Sequence, residues 1–247
     1  MSSTKEYLME VQHENCIEWI RQRYGIEIAP DTDDERWEEL AQEYSDMLEA
    51  EEAEYEWLNR HSHDEFFHEF FYELAKTSGL LNTGAKMYAD MLNKLVYAHA
   101  VTLMEALISS VVRKLLVSEQ ALLINLVTEH KQLSSKSVSL KDIVGDPKAV
   151  ERIVLDALSR LSFHNPVTIN VVLTAMFKEH MKDLDVGAIG GICSKRHDII
   201  HRNGKTVDDQ PISLTTEEVE DALLAIRAFG ENLKTRIHNA LNAIDGF

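Results

Sequence analysis

Apolar residues recur along most of this chain every three or four positions, which is the spacing of amphipathic helices. The turn and cap signals between these stretches divide the pattern into nine helices. No stretch alternates apolar and polar residues as a half-buried strand does, so the predicted fold class is all-α, a helical bundle. The predicted helices are, in chain order, Thr4 to about Tyr24; one capped by Asp33 or Asp34 and broken near His61 to His63; one ending at about Ser78; Met87 to Leu116; Ala121 to about His130; one opened by Asp146 and Pro147; one opened by Asn165 and Pro166; Gly187 to Asn203; and one from Thr215 to about Ala243.

The stretch Thr77 to Gly84, with two glycines and little apolar periodicity, is the best domain boundary in the sequence. It predicts an acidic helical region of unknown role over residues 1–80 and a helical domain over residues 81–247. Within the second domain, Lys131 to Asp146 is a polar connection. Thr215 and Glu218 have the spacing of a capping box, which predicts the start of the last helix.

Composition is consistent with a packed helical protein, because 45% of the 247 residues are apolar and there are only 10 Gly and 4 Pro. Cys16 and Cys193 lack metal-ligand spacing, so we expect both to be reduced packing residues. The first residues do not show a basic start followed by an apolar core, and the most apolar stretch, Leu115 to Val127, contains polar residues. We therefore expect a soluble, cytoplasmic chain with no membrane span.

Charge is distributed unevenly. Residues 1–80 contain 22 acidic and 6 basic residues, whereas residues 81–247 contain 20 acidic and 19 basic residues. An acidic surface repels phosphate, so a nucleic-acid site would have to lie in the second part of the chain. Three interpretations of the acidic part stay open: a solvated helical surface, a screen for the active site, and a docking region for a basic protein partner.

The run from Lys195 to Gly204 is the richest in candidate chemistry. At about 100° per residue, Arg196 falls in the middle of an apolar stripe, while Asp198 falls on the opposite side of the helix. His197 and His201 are four residues apart and share the flank of the stripe. Asn203 and Gly204 are typical of a helix end. The predicted stripe consists of Ile189, Ile192, Cys193, Ile199 and Ile200.

This pattern of Arg196, four residues, His201, and then Asn203 and Gly204 resembles the signature of the HEPN superfamily. The order of predicted helices over residues 84–245 is most similar to RiboL-PSP-type HEPN domains. The resemblance implies an all-α domain and a metal-independent ribonuclease without a cofactor, which pairs as a homodimer or a higher even oligomer to build one active site from two motifs. It also implies a biological role as a toxin or an effector of phage defence.

Glu105 is the predicted partner of Arg196. On the predicted helix from Met87 it shares a face with apolar residues, so its carboxylate also lies on a core stripe. Burying either charge alone costs several kcal/mol, which a hydrogen-bonded pair partly offsets. We therefore expect the two side chains to lie within about 6 Å, a generous reach for an ion pair. A pair that merely fixes helix register is the alternative.

The chemistry available to arginine and histidine without a metal is narrow, and it suits the cleavage of RNA by attack of its own 2′-hydroxyl on the neighbouring phosphorus. Imidazoles titrate near neutral pH, so His201 suits a general acid or base. The Arg196 guanidinium suits the phosphorane oxygens. His197, Asp198 and Glu105 are predicted to support these catalytic residues. The predicted RNA-binding residues are Lys195, Arg202, Asn203 and Lys205.

Two other functions stay open: a non-catalytic HEPN-like dimer that binds RNA, a nucleotide or a protein partner, and a helical scaffold in which Arg196 serves only Glu105.

Elsewhere, His61, His63, Asp64 and His68 have spacings that could gather a metal, but the surrounding aromatic residues favour packing, and no metal site is predicted. Ser162 has no base with an orienting acid nearby in sequence. The scattered histidines, His164 among them, are interpreted as ordinary surface or core residues.

Overall fold

The computed structural model describes residues 2–30, 34–83, 86–138, 140, 143 and 148–245. It confirms the all-α fold class: within these residues helices account for nearly all regular structure, and no β-strand occurs. A single isolated antiparallel bridge joins Lys205 and Pro211. The chain divides into two compact units, residues 1–60 and 61–247.

The N-terminal unit contains two helices, α1 (Ser2–Tyr24) and α2 (Arg36–Arg60). Cys16, Ile20 and Ile28 form its small buried core, against which partly buried aromatic and aliphatic side chains pack. The backbone N–H of Arg36 donates to the Asp34 carboxylate, so Asp34 does cap the second helix. The alternative cap, Asp33, lies outside the described residues.

The C-terminal unit contains the other eight α-helices of the described chain. Short 3₁₀ turns over Leu80–Thr83 and Lys86–Tyr88 lead into its central helix, and another over Lys178–Met181 follows the helix that begins at Pro166. The helices are α3 (His63–Gly79), α4 (Ala89–Ser118), α5 (Gln120–Glu129), α6 (Lys131–Ser134), α7 (Ala149–Ser159), α8 (Pro166–Phe177), α9 (Gly187–His201) and α10 (Thr216–Asp245).

Helix α4 is the centre of this unit, and it packs against α3, α5, α7, α9 and α10. Among the described helices it alone is long and apolar enough to cross a membrane by length and composition. Most of its apolar side chains, including Val101, Met104 and Ile108, are buried inside the unit. That packing explains its apolar character without reference to a membrane.

The predicted helix starts are confirmed where the structure describes them. Asn165 accepts a hydrogen bond from the Val167 backbone, with Pro166 in the first turn of α8. Thr215 and Glu218 form the expected capping box of α10. A second capping box, Ser62 with Glu65, opens α3. The predicted start at Asp146 and Pro147 lies outside the described residues.

The division between the units falls after Arg60, earlier in the chain than the boundary predicted between residues 80 and 81. Helix α3 accounts for the difference, because it packs against α4 and α10. Its buried side chains Phe66, Phe67, Phe70 and Leu74 contribute to the C-terminal core. The 22 acidic residues of the predicted first region are thus shared between two units, with 18 of them in residues 1–60.

Gly230 sets how closely α10 approaches α3, and replacing it tests that contact. A Cβ at this position would lie 2.6 Å from Cε1 of the buried Phe70 ring. We expect Gly230→Ala to lower the free energy of unfolding by about 1–2 kcal/mol, because the overpacking outweighs the gain in helix propensity.

Chemical denaturation followed by circular dichroism measures this effect. Tryptophan fluorescence does not, since Trp19, Trp37 and Trp57 all lie in the N-terminal unit. The matched control is Gly191→Ala in α9, where a Cβ would meet open space. There the same substitution should stabilise the protein by about 0.5–1 kcal/mol. Equal effects of the two substitutions would contradict the close α3–α10 packing.

Candidate functional site

The motif helix α9 ends two residues before the predicted Asn203. The N–H of Arg202 donates to Asp198 O, and the N–H of Gly204 donates to Ile199 O at 3.1 Å. Asn203 (φ 52°) and Gly204 (φ 73°) occupy the left-handed region, a conformation that asparagine and glycine tolerate best. These two residues thus end the helix as predicted.

The loop after α9 is fixed to the start of α4. The buried Asn93 amide donates to Leu214 O at 2.7 Å. Asp90 accepts from the Leu214 backbone N–H and from Lys94. The Lys94 side chain lies over Gly204, with Nζ 3.4 Å from where a Cβ would be. The C-terminal end of the motif helix is therefore held against α4 rather than free to fray.

The predicted apolar stripe of α9 is mostly confirmed, with one correction. Ile189, Ile192, Cys193 and Ile199 are buried, whereas Ile200 is 49% exposed. Ile200 lies on the same side of the helix as Ile189, one turn after Arg196. The stripe therefore leaves the core in the last turn of the helix, and Arg196, with a side chain 16% exposed, lies where the core meets the surface.

The predicted ion pair between Arg196 and Glu105 is confirmed. Arg196 Nη2 lies 3.7 Å from Glu105 Oε2, and the Glu105 side chain is 20% exposed. This separation suits an ion pair but exceeds that of a good hydrogen bond. Arg196 Nε is buried and has no hydrogen-bond acceptor among the described residues. The guanidinium therefore keeps donor capacity after pairing with Glu105.

The other oxygen of the Glu105 carboxylate binds His164, a contact that the sequence pattern did not indicate. Glu105 Oε1 lies 2.5 Å from His164 Nδ1, and the His164 side chain is 34% exposed. Ser162 Oγ lies 2.7 Å from Nδ1 and 3.1 Å from Nε2 of the same ring. One carboxylate thus joins α9 to the turn before α8. The nearest signal in the sequence is the Asn165–Pro166 helix start, which fixes the turn next to His164.

The negative charge of Glu105 also affects the pKa of Cys193, which lies on the same helix as Arg196. Burial raises the pKa of the Cys193 thiol to about 11, the negative charge of Glu105 adds to the increase, and Arg196 opposes it. Burial also raises the pKa of Tyr97, with smaller contributions from Cys193 and Glu218. Both groups therefore stay neutral at neutral pH, so Cys193 is a packing residue as predicted.

His197 and His201 lie together on the exposed flank of α9. Their ring centroids are 4.7 Å apart, with 43° between the ring planes. Both residues are exposed, so both imidazoles can reach a ligand from solvent. Asp198, predicted to help orient His201, instead pairs with Arg202 one turn later. The helical i,i+4 spacing makes that pairing direct.

Two of the predicted RNA-binding cations are paired with carboxylates. Lys195 Nζ lies 3.5 Å from Glu218 of α10, and Arg202 pairs with Asp198. Lys205 is exposed and has no ion pair within the described part of the chain. The net positive charge near the end of α9 is therefore smaller than the sequence suggests, because nearby carboxylates partly neutralise two of these cations.

The residues around His61 pack as the aromatic interpretation predicts. The His61 ring stacks on Phe66 with centroids 5.8 Å apart, and Lys234 Nζ lies 3.0 Å from the Asp64 carboxylate. In the part of the chain that is described, no group of three or more His, Cys, Asp or Glu side chains is close enough to hold a metal ion.

The candidate site consists of Arg196, Glu105 and His164, with His197 and His201 at the end of α9. All five residues belong to the C-terminal unit. No protein-family model, curated protein or solved structure matches this chain. Its function is therefore inferred from the geometry and chemistry of these side chains.

Proposed function

We propose that the protein is a metal-independent endoribonuclease with a HEPN-like C-terminal domain. RNA is cleaved when its 2′-hydroxyl attacks the adjacent phosphorus and the bond to the 5′-oxygen breaks. His201 transfers a proton, and Arg196 stabilises the charge on the phosphorane oxygens. The products carry a 2′,3′-cyclic phosphate and a 5′-hydroxyl. A role as a toxin or in phage defence accompanies this proposal by resemblance.

The observation that carries the proposal is the state of Arg196. Its partner Glu105 is 3.7 Å away, and its Nε has no acceptor among the described residues. A guanidinium that only fixed helix register would gain most from close, bidentate hydrogen bonds to its carboxylate. Arg196 instead keeps an unused Nε donor, and the exposed imidazoles of His197 and His201 follow it on the same helix. That arrangement suits a ligand with several acceptor oxygens, such as phosphate.

Pairing of two subunits is part of the proposal, because one motif supplies one His201 while the reaction needs both an acid and a base. The start of α4 offers an apolar surface for such pairing. Met91 and Leu95 lie four residues apart on one face of the helix, Met87 lies in the 3₁₀ turn just before it, and each is more than half exposed. This face adjoins the loop after α9 through Lys94. Apolar side chains clustered on a surface favour association.

The test is incubation of the purified protein with mixed-sequence RNA in the presence of EDTA. Cleavage should continue under chelation, and the 5′ fragments should end in a 2′,3′-cyclic phosphate. The substrate control is a pair of DNA oligonucleotides of identical sequence, one of which carries a single ribonucleotide. Only that one should be cut, since the attacking hydroxyl is absent from DNA. Cleavage of all-DNA, or products with 3′-hydroxyl ends, would contradict this mechanism.

A binding module without catalysis is the second candidate. It is favoured if the protein binds RNA in a gel-shift assay, and does so as a dimer, yet leaves the RNA intact. Because Lys195 and Arg202 are paired with carboxylates, the electrostatic attraction of this surface for RNA is weaker than it would be with both cations unpaired. Binding in that case should depend on Arg196 more than on Lys195.

A further inference from the structure

Glu105 holds a second imidazole at the site proposed above. His164 Nδ1 lies 2.5 Å from Glu105 Oε1, while the other oxygen of that carboxylate faces Arg196. The three side chains come from different parts of the C-terminal unit: α4, the turn before α8, and α9. Glu105 is the ion-pair partner of this imidazole, and Arg196 faces the opposite oxygen of the same carboxylate.

The contact with Glu105 decides which nitrogen of His164 can react. A carboxylate on Nδ1 accepts the Nδ1 proton, and the neutral ring then carries its acceptor lone pair on Nε2. The hydroxyl oxygen of the exposed Ser162 lies 2.7 Å from Nδ1 and 3.1 Å from Nε2, where it can donate to the Nε2 lone pair. Since one third of the His164 side chain is exposed, the ring is within reach of a bound molecule. An imidazole fixed in one tautomer by a carboxylate is the usual arrangement of a general base.

We propose that His164, oriented by Glu105, is the general base of the cleavage reaction, and that His201 is the general acid. This rests on the proposed ribonuclease function. His164 Nε2 takes the proton of the 2′-hydroxyl as the 2′-oxygen forms its bond to phosphorus. The bond between phosphorus and the 5′-oxygen breaks, and the leaving oxygen takes a proton from His201. Glu105 stabilises the imidazolium that forms on His164 and is a positioning residue.

If His164 is the base, one subunit supplies both a general acid and a general base. With His201 alone, acid and base must come from two copies of the motif. With His164, each subunit holds one imidazole anchored by a carboxylate and one exposed at the helix end, and these have different roles. The two histidines should therefore respond differently to substrates that need no acid, which makes their roles separable by experiment.

The experiment compares His164→Asn and His201→Asn in the full-length protein on two substrates: an ordinary RNA, and the same RNA with sulfur in place of the bridging 5′-oxygen at one linkage. A thiolate leaves without protonation, so the sulfur substrate needs a base but no acid. On ordinary RNA each variant should lose on the order of a hundredfold in kcat/KM. On the sulfur substrate His201→Asn should regain most of the wild-type rate, and His164→Asn should not.

The pH dependence of the cleavage rate distinguishes a general base from a residue that only supports the structure. The wild-type profile should be bell-shaped, since a base must be unprotonated and an acid protonated. His164→Asn should lose the rise on the acidic side and keep the fall on the alkaline side. His180→Asn is the matched control, because this exposed histidine lies in the turn after α8, away from Glu105. It should cut both substrates at the wild-type rate.

The outcomes separate the two proposals. If the wild type does not cut RNA, the ribonuclease function itself fails. If the wild type cuts but His164→Asn, folded as judged by circular dichroism, cuts equally fast, only the role of His164 is overturned. Recovery of His164→Asn on the sulfur substrate would also overturn its assignment as the base.

Discussion

Replacing Arg196 or His201 with alanine is expected to reduce RNA cleavage by on the order of a hundredfold or more. Loss of the His201 imidazole should cost on the order of a hundredfold or more in rate, as for other general acids and bases. Loss of the Arg196 guanidinium removes charge stabilisation of the phosphorane and should cost about 10²–10³. Initial rates on a fluorescent RNA in EDTA, at saturating enzyme, measure both.

Arg196→Lys distinguishes charge from geometry. Lysine restores a positive charge beside Glu105, which protects the fold, but a compact ammonium cannot reproduce the planar fork of donors. We therefore expect Arg196→Lys to fold normally and to recover little of the lost rate. The matched control is Arg227→Ala, which removes an exposed arginine paired with Glu231 on α10. Wild-type rates for His201→Ala, or equal losses for Arg196→Ala and Arg227→Ala, would contradict the proposed site.

The pair between Arg196 and Glu105 could be predicted from the sequence because helical periodicity places each charge on an apolar stripe. Both apolar stripes must be buried, so they are expected to meet in the core of one unit. A charge on one stripe then predicts an opposite charge beside it on the other. The same reasoning predicts the buried faces of α4 and α9. It does not specify where the apolar stripe of α9 leaves the core, so it predicts a buried Ile200, whereas this residue is exposed.

The contact with His164 could not be predicted in this way. His164 lies in a turn, where no periodicity indicates which way a side chain points, and it is distant in sequence from Glu105. Only the packing of α8 against α5 and α9 brings that turn to the carboxylate. The same limit applies to α3, whose aromatic side chains indicate burial but not the helices that cover them. The local sequence pattern thus predicts the helices and the charged residues on their apolar faces. Which turn contacts which helix depends on the tertiary fold.

Removing the Glu105 side chain should produce the largest loss of stability predicted for this site. Glu105→Ala leaves the largely buried Arg196 without its counter-ion and leaves His164 without its anchor. Breaking a buried pair by removing one partner typically costs 3–5 kcal/mol. Since each side chain of this pair keeps about a fifth of its exposure, we expect a loss of about 3 kcal/mol in the free energy of unfolding, at the lower end of that range.

A double variant isolates the cause of that loss. In Glu105→Leu with Arg196→Met both charges are replaced by apolar groups, so no charge stays stranded, and the double variant should be more stable than Glu105→Ala. The matched control is Glu231→Ala, which breaks an exposed pair with Arg227. That change should alter stability by at most about 1 kcal/mol, because exposed pairs contribute little. If chemical denaturation followed by circular dichroism gives Glu105→Ala the same stability as Glu231→Ala, the carboxylate does not hold Arg196 in place. The geometric basis for assigning both Arg196 and His164 to one site would then be lost.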